Sequence, residues 1–349
     1  MNETERSVGG RVGNEDDGIS GLSSLPLRPF LAGFLVIATL SAAVFLRFGQ
    51  LRRFAELASD AEPWWLSVAV AAQVLTYAAN GQVWNIATRA VGKRFSALFL
   101  VRLSVEKLTV DQLLPSVGVA GHVGVLQALR RAGVSSAVAL EAVFLDIISF
   151  HIAYAVATAV ALAILSFHHD VTSVVLAALG VFAVISVTVP TLAVVLLRRR
   201  DLLDMLPAWL TRRSFPARLL SVVSGMTPDN VLEGRNISFS VLFQAIVFVF
   251  DGATLWATLH AVGVHTSFGT ALAAFVVGAV AGTVSFVPGG IGTFEFAVTT
   301  TLIGLGVPFE GALTGVLIFR GLTLWLPLVP GIVMAHRDFG LPFSRRDSS

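Results

Sequence analysis

The chain has 349 residues, of which 55% are hydrophobic and only 13% charged, against about 25% charged in an ordinary soluble domain. Lys+Arg total 24 and Asp+Glu 22, a formal net charge of +2, and mean hydropathy is +0.80. These values exclude a soluble globular enzyme, a disordered chain and a basic nucleic-acid binder, and indicate a polytopic membrane protein. The absence of cysteine excludes disulfides, thiolate metal sites, iron–sulfur clusters and thiol nucleophiles.

Residues 1–26 are polar and Gly/Ser-rich with an acidic run Glu15-Asp16-Asp17, and read as a disordered cytoplasmic tail. The apolar stretch 30–46 begins too late for a signal peptide and reads as an uncleaved first span. Apolar segments follow at 64–88, 95–112, 117–129, 136–166, 171–197, 237–262, 266–287, 291–305 and 309–334. Segments 64–88, 136–166, 171–197, 237–262 and 309–334 have the length of full crossings. Segments 117–129 and 291–305 follow Pro/Gly breaks, and at 1.5 Å per residue they span only about 20–22 Å of a roughly 30 Å core. Interrupted helices of this kind belong beside a protein cavity, not against lipid. The polar stretch 198–235, opening with Arg198-Arg199-Arg200, reads as a cytoplasmic loop with an interfacial helix. Residues 336–349 form a second tail.

Basic residues at Arg28, Arg89/Lys93/Arg94, Arg130/Arg131, 198–235 and 337–346 put these loops and both termini on the cytoplasmic side of the cytoplasmic membrane. Arg47, Arg52 and Arg53 run against this pattern. The stretches 115–134 and 288–307 align without a gap at an offset of 173 residues: Pro115 meets Pro288, Leu129 meets Leu302, and Gly133-Val134 meets Gly306-Val307. Each lies in a unit of span, broken pair and span, over 64–166 and 237–334, and the single crossing 171–197 between them would invert one unit relative to the other. The expected fold class is thus an all-α polytopic membrane protein of two inverted repeats, each with a broken, re-entrant helical hairpin, within a membrane domain over 27–335. That is the layout of a secondary transporter with its site at the repeat interface.

Ionisable groups at membrane depth must face protein or water. Arg102 with Glu106, and Lys107 with Asp111, are spaced i,i+4 on the first broken pair. Glu141, Asp146 and Asp251 lie in long spans, and Glu295, Glu310 and Arg320 in the second unit. Mixed charge of this kind suits an anionic or zwitterionic headgroup, with Arg for phosphate and a carboxylate for an amine or a coupling proton. Arg320 requires a partner, for which Glu295 and Glu310 are both placed. The glycines of Pro288-Gly289-Gly290-Ile291-Gly292 allow a sharp turn and a close backbone approach; this run lacks the Lys-Ser/Thr of a nucleotide loop. His122 and His151 read as interior histidines, and Asp146 and His151, five apart, do not stack on one helix face. No histidine cluster has metal-ligand spacing and no nucleophile motif occurs, so no metal, cofactor or catalytic residue is expected.

The run Pro288-Gly289-Gly290-Ile291-Gly292-Thr293-Phe294-Glu295, followed by Leu305-Gly306-Val307-Pro308, Ala312 and Arg320-Gly321-Leu322-Thr323-Leu324-Trp325-Leu326-Pro327, resembles the C-terminal signature of one family. It is the flippase-like membrane domain of lysylphosphatidylglycerol synthases. Leu114-Pro115 through Gly133 resembles the first-half motif, with glycines sparser than in many relatives, and the resemblance extends over about 30–335. It implies a domain that moves aminoacylated phosphatidylglycerol across the bilayer, here expected to stand without the cytosolic synthase domain. Pro288, Gly289, Gly290, Gly292, Glu295 and Arg320 are its motif positions. With Arg102 and Glu106 they form the expected substrate-binding set. The function expected is translocation of a phospholipid such as aminoacyl-phosphatidylglycerol, or of a lipid-linked precursor. A membrane enzyme modifying a lipid headgroup and a non-transporting scaffold are the alternatives. The implied partners are a phospholipid and the bilayer, with no nucleic acid and no oligomeric state specified.

Overall fold

The computed structural model describes residues 59–113, 119–167, 173–198, 233–285 and 287–339. The N-terminal tail, the first span 30–46, Pro115, the basic loop over 199–232 and residues 340–349 lie outside these residues, whereas 336–339, expected in the C-terminal tail, continue the last helix. Among the described residues regular structure is entirely helical. The first unit comprises α1 (Pro63–Arg89), α2 (Ala97–Leu113), α3 (Val119–Arg131) and α4 (Ser136–Ser166). Helix α5 (Ser173–Arg198) follows. The second unit comprises α6 (Gly234–Ala261), α7 (Phe268–Val284), α8 (Thr293–Gly304) and α9 (Phe309–Arg320). Helix α9 continues through a π turn, Gly321–Trp325, into α10 (Leu326–Phe339).

Among the described residues, three helical stretches are long and apolar enough to cross a membrane: Ser136–Ser166, Gly234–Ala261 and Phe309–Gly331. Helix α1, expected as a full crossing, has the length, since 27 residues make about 40 Å. Its hydropathy is lowered by Gln73, Thr76, Asn80, Gln82, Asn85 and Thr88. Gln73, Thr76, Asn85 and Thr88 are buried, so this polar stripe is turned into the protein. Helix α5, the other expected linker crossing, contains a shorter apolar stretch, Ala177–Leu192. The broken pairs are short throughout. Helices α2 and α7 have 17 residues each, α3 has 13 and α8 has 12, or roughly 18–26 Å.

Local chemistry sets these boundaries. The Ser135 hydroxyl accepts from Val138 N at 3.4 Å and starts α4, and Ser267 Oγ accepts from Thr270 N at 3.0 Å and starts α7. Helices α3 and α8 end alike. Gly133 (φ 80°) and Gly306 (φ 86°) follow them in the left-handed region, and the next residues, Val134 and Val307, bond back to Leu129 O and Leu302 O at 3.0 and 2.9 Å. The two caps are 173 residues apart, the offset at which the sequence repeats.

The most extensive helix interface is α1 against α6. Within each unit the neighbours correspond: α1 packs on α2 as α6 does on α7, and α2 on α3 as α7 does on α8. Across the units, α4 reaches α7 and α10 reaches α2. Lipid is as apolar as leucine, so this packing depends on close fit and internal polar bonds rather than on water exclusion. Small residues supply the fit on α7, where Ala271, Ala273 and Ala274 are fully buried.

Candidate functional site

Between the two units lies a cavity of about 480 Å³. Its wall includes Gln73, Thr76 and Tyr77 of α1, Lys107 and Asp111 of α2, His122 of α3, Asp146 of α4, and Gln244 and Asp251 of α6. Pro288, Gly289 and Gly290 close it together with Arg320.

The second-unit wall is built around Arg320. Residues Pro288–Gly290 form a single 3₁₀ turn in which Gly289 and Gly290 have φ of 62° and 61°. A Cβ at Gly290 would stand 3.0 Å from the Gly282 backbone on α7, so glycine is needed there for both conformation and space. The turn brings the Gly289 carbonyl to Arg320 Nη2. Helix α8 then starts at Gly292, whose N–H donates to Glu295 Oε2 at 2.6 Å, half of a capping box. The other carboxylate oxygen, Oε1, accepts from Arg320 Nε at 2.7 Å. The guanidinium carbon lies 4.9 Å from the Phe294 ring centroid, and Phe294 stacks on Phe319 at 5.6 Å. Arg320 is 7% exposed. The π turn begins at the next residue, Gly321, and such turns are frequent at functional positions. Of the two carboxylates placed to meet Arg320, Glu295 is the one it bonds.

The first-unit wall is built around Asp146, 2% exposed. Gln244 Nε2 donates to Asp146 Oδ1 at 2.6 Å, and Trp84 Nε1 donates to Oδ2 at 3.1 Å. His122 Nε2 stands 3.3 Å from the same Oδ2. Four helices, α1, α3, α4 and α6, therefore meet on one carboxylate. Beside it Lys107 Nζ lies 3.2 Å from Asp111 Oδ2, and Asp111 Oδ1 accepts from Gly121 N at 2.9 Å, tying α2 to the first turn of α3. Asp251 Oδ1 accepts from Thr76 Oγ1 at 3.1 Å, across the α1–α6 interface.

Of the expected binding residues, Pro288, Gly289, Gly290 and Arg320 line the cavity. Glu295 acts one layer behind, through Arg320, and Gly292 acts through Glu295. Arg102 and Glu106 form their i,i+4 pair at 2.8 Å, with Glu106 buried and Arg102 43% exposed at its side chain, but neither is part of the cavity wall. Wall residues absent from the expected binding set include Lys107, Asp111, His122, Asp146, Gln244, Asp251 and Thr76. Their intramembrane charge was a sequence signal for most of them. The pairing of Asp146 with His122, 24 positions earlier, rather than with His151 was not, because it depends on how α3 packs against α4.

A model of the family described as the lysylphosphatidylglycerol synthase TM region matches residues 30–331. Among individual relatives, a phosphatidylglycerol lysyltransferase of Staphylococcus haemolyticus (strain JCSC1435) is 29% identical over 110 residues, 30% of this chain and 13% of the relative. Proteins of the same name from Staphylococcus aureus are 34% identical over 99 residues in strain MRSA252, 28% of this chain and 11% of the relative. In strain COL the figures are 31% over 131 residues, 36% of this chain and 15% of the relative. Each aligned region thus covers a small part of a longer relative.

Proposed function

Because the chain belongs to the family of the lysylphosphatidylglycerol synthase TM region, we propose that it moves a phospholipid headgroup between the leaflets of the cytoplasmic membrane through the cavity between its two units. The observation that carries this reading is Arg320: a nearly buried guanidinium on the wall of a largely apolar cavity that also holds Lys107, Asp111, Asp146 and Asp251, fixed beside an interrupted helix. A guanidinium has five N–H donors. Glu295 and the Gly289 carbonyl engage Nε and Nη2, which leaves donors on the cavity side for a phosphate diester, a geometry that arginine binds well. Acidic groups across the cavity offer acceptors for headgroup hydroxyls or an ammonium. The acyl chains would remain in the bilayer while the headgroup is solvated by protein. Phosphatidylglycerol, its aminoacyl ester or a lipid-linked precursor meets this description. The two units are taken to be inverted, with both termini cytoplasmic, so that the cavity can open to either side.

The reading is tested by reconstituting the chain with a fluorescently tagged phosphatidylglycerol and following loss of signal to an impermeant reductant. The expected result is transfer faster than in protein-free vesicles, lost in Arg320→Lys, which keeps the charge without the planar fork, and in Glu295→Gln. Transfer no faster than in protein-free vesicles would overturn the function. Wild-type rates in both folded variants would remove Arg320 and Glu295 from it.

A further inference from the structure

Three carboxylates line the cavity, and two of them have a basic partner. Asp111 has Lys107 at 3.2 Å and Asp146 has His122 at 3.3 Å. The third, Asp251, has none among the described residues: its hydrogen bond comes from the Thr76 hydroxyl, at 3.1 Å to Oδ1. It lies in the middle of α6, where α6 packs on α1, the most extensive contact between the two units. The charged and titratable groups that share the cavity with it are Tyr77 of α1, Lys107 and Asp111 of α2, His122 of α3, Asp146 and His151 of α4, and Arg320 of α9. Helix α7, which also packs on α6, presents no titratable group to the cavity, only Phe275, Ala279, Gly282 and Thr283. Lys107, His122 and Arg320 are held by Asp111, Asp146 and Glu295 respectively.

A carboxylate without a counter-charge is costly to keep ionised away from bulk water, and it is relieved by taking a proton. We infer that Asp251 is a proton-exchange site of the translocation cycle, an inference that rests on the lipid-transfer reading above. Oδ1 stays bonded to the Thr76 hydroxyl. A proton from cavity water forms the O–H bond on Oδ2 while the cavity is open to one side. The same bond breaks, returning the proton to water, when it is open to the other. One carboxyl group thus carries one proton per turnover, and no other bond is made or broken. Because Asp251 and Thr76 sit on the first helix of each unit, the charge state of the carboxyl acts on the interface that must shift when access alternates.

Two measurements test this. Tagged phosphatidylglycerol transfer is followed in proteoliposomes with and without an imposed pH gradient, the membrane potential being clamped at zero. The expected result is a gradient-dependent rate in the wild type and a ratio of one in Asp251→Asn, whatever its absolute rate. In parallel, infrared difference spectra of the full chain in nanodiscs are titrated with pH. A carboxylic-acid band is expected that is absent in Asp251→Asn and displaced in Thr76→Val, which keeps the carboxyl but removes its donor. A wild-type rate indifferent to the gradient, a gradient response that survives in Asp251→Asn, or a titrating band unchanged in Asp251→Asn would each overturn the inference. Should the wild type show no transfer above protein-free vesicles, the transfer reading fails, and the infrared titration still decides whether Asp251 exchanges a proton.

Discussion

Arg320 donates to Glu295 at 2.7 Å across 25 residues of chain, and this pair has a counterpart in which the helices bearing the acid and the base are exchanged. His122 stands 173 residues before Glu295, at the matching place on the matching short helix, and it meets Asp146 on the following long helix as Glu295 meets Arg320. In the first unit the short helix carries the basic member and the long helix the acid. In the second unit the roles are reversed. Both pairs tie an interrupted helix to the span that follows it, and three of the four side chains reach the same cavity. A headgroup bearing phosphate on one side and donors on the other would meet complementary groups on the two walls.

Removing Arg320 would leave the Glu295 carboxylate without its base in a largely buried position. Arg320→Ala is expected to cost about 3–5 kcal/mol of stability. The double change Glu295→Gln with Arg320→Met, which removes both charges, should recover most of that loss. Thermal unfolding in one detergent, run on the single and double variants, checks the sign and the recovery.

Gly290 combines a φ of 61° with the close approach of Gly282. Gly290→Ala should therefore destabilise by about 1–3 kcal/mol from backbone conformation alone, with the contact adding to it, and should displace the carbonyl that Arg320 bonds. Gly304→Ala is the control. It ends α8 with nothing within 4 Å of the added Cβ, and should unfold with the wild type.

Asp146 takes donors from α1 and α6, so each donor can be removed separately. Gln244→Leu and Trp84→Phe should each cost about 1.5–3 kcal/mol, the range for hydrogen bonds to a charged group. Because they share one acceptor, their effects should be non-additive by about 0.5–3 kcal/mol in a double-mutant cycle. Strict additivity in denaturation midpoints would show that the two bonds act independently.

The inversion proposed for the two units is tested by surface labelling, which a chain without cysteine makes clean. Arg131→Cys, at the end of α3, and Gly304→Cys, at the end of α8, occupy aligned and exposed positions. An impermeant maleimide applied to oriented vesicles should reach the first only from the cytoplasmic face and the second only from the opposite face. Labelling of both from one side would show the units inserted the same way round.

Composition, spacing and glycine punctuation made much of this legible in advance. A chain with 13% charge and long apolar runs has few soluble alternatives, and the lengths of the long and short helices follow from where Pro and Gly interrupt those runs. The i,i+4 pairs on α2 are local events, decided within one turn of helix, so they could be read directly. Arg320 stood out because a guanidinium at membrane depth needs a partner, but two carboxylates were within plausible reach. Which of them it bonds depends on the left-handed turn at Gly289 and Gly290, which folds α8 back against α7 and brings the Gly289 carbonyl and Glu295 to Arg320. Asp146 is a stronger case, since its donors come from residues 62 and 98 positions away. No periodicity encodes contacts at such separations. They arise when long helices with buried polar stripes pack so that each stripe satisfies the other, which in a low-dielectric interior is the arrangement that leaves the fewest polar groups unpaired.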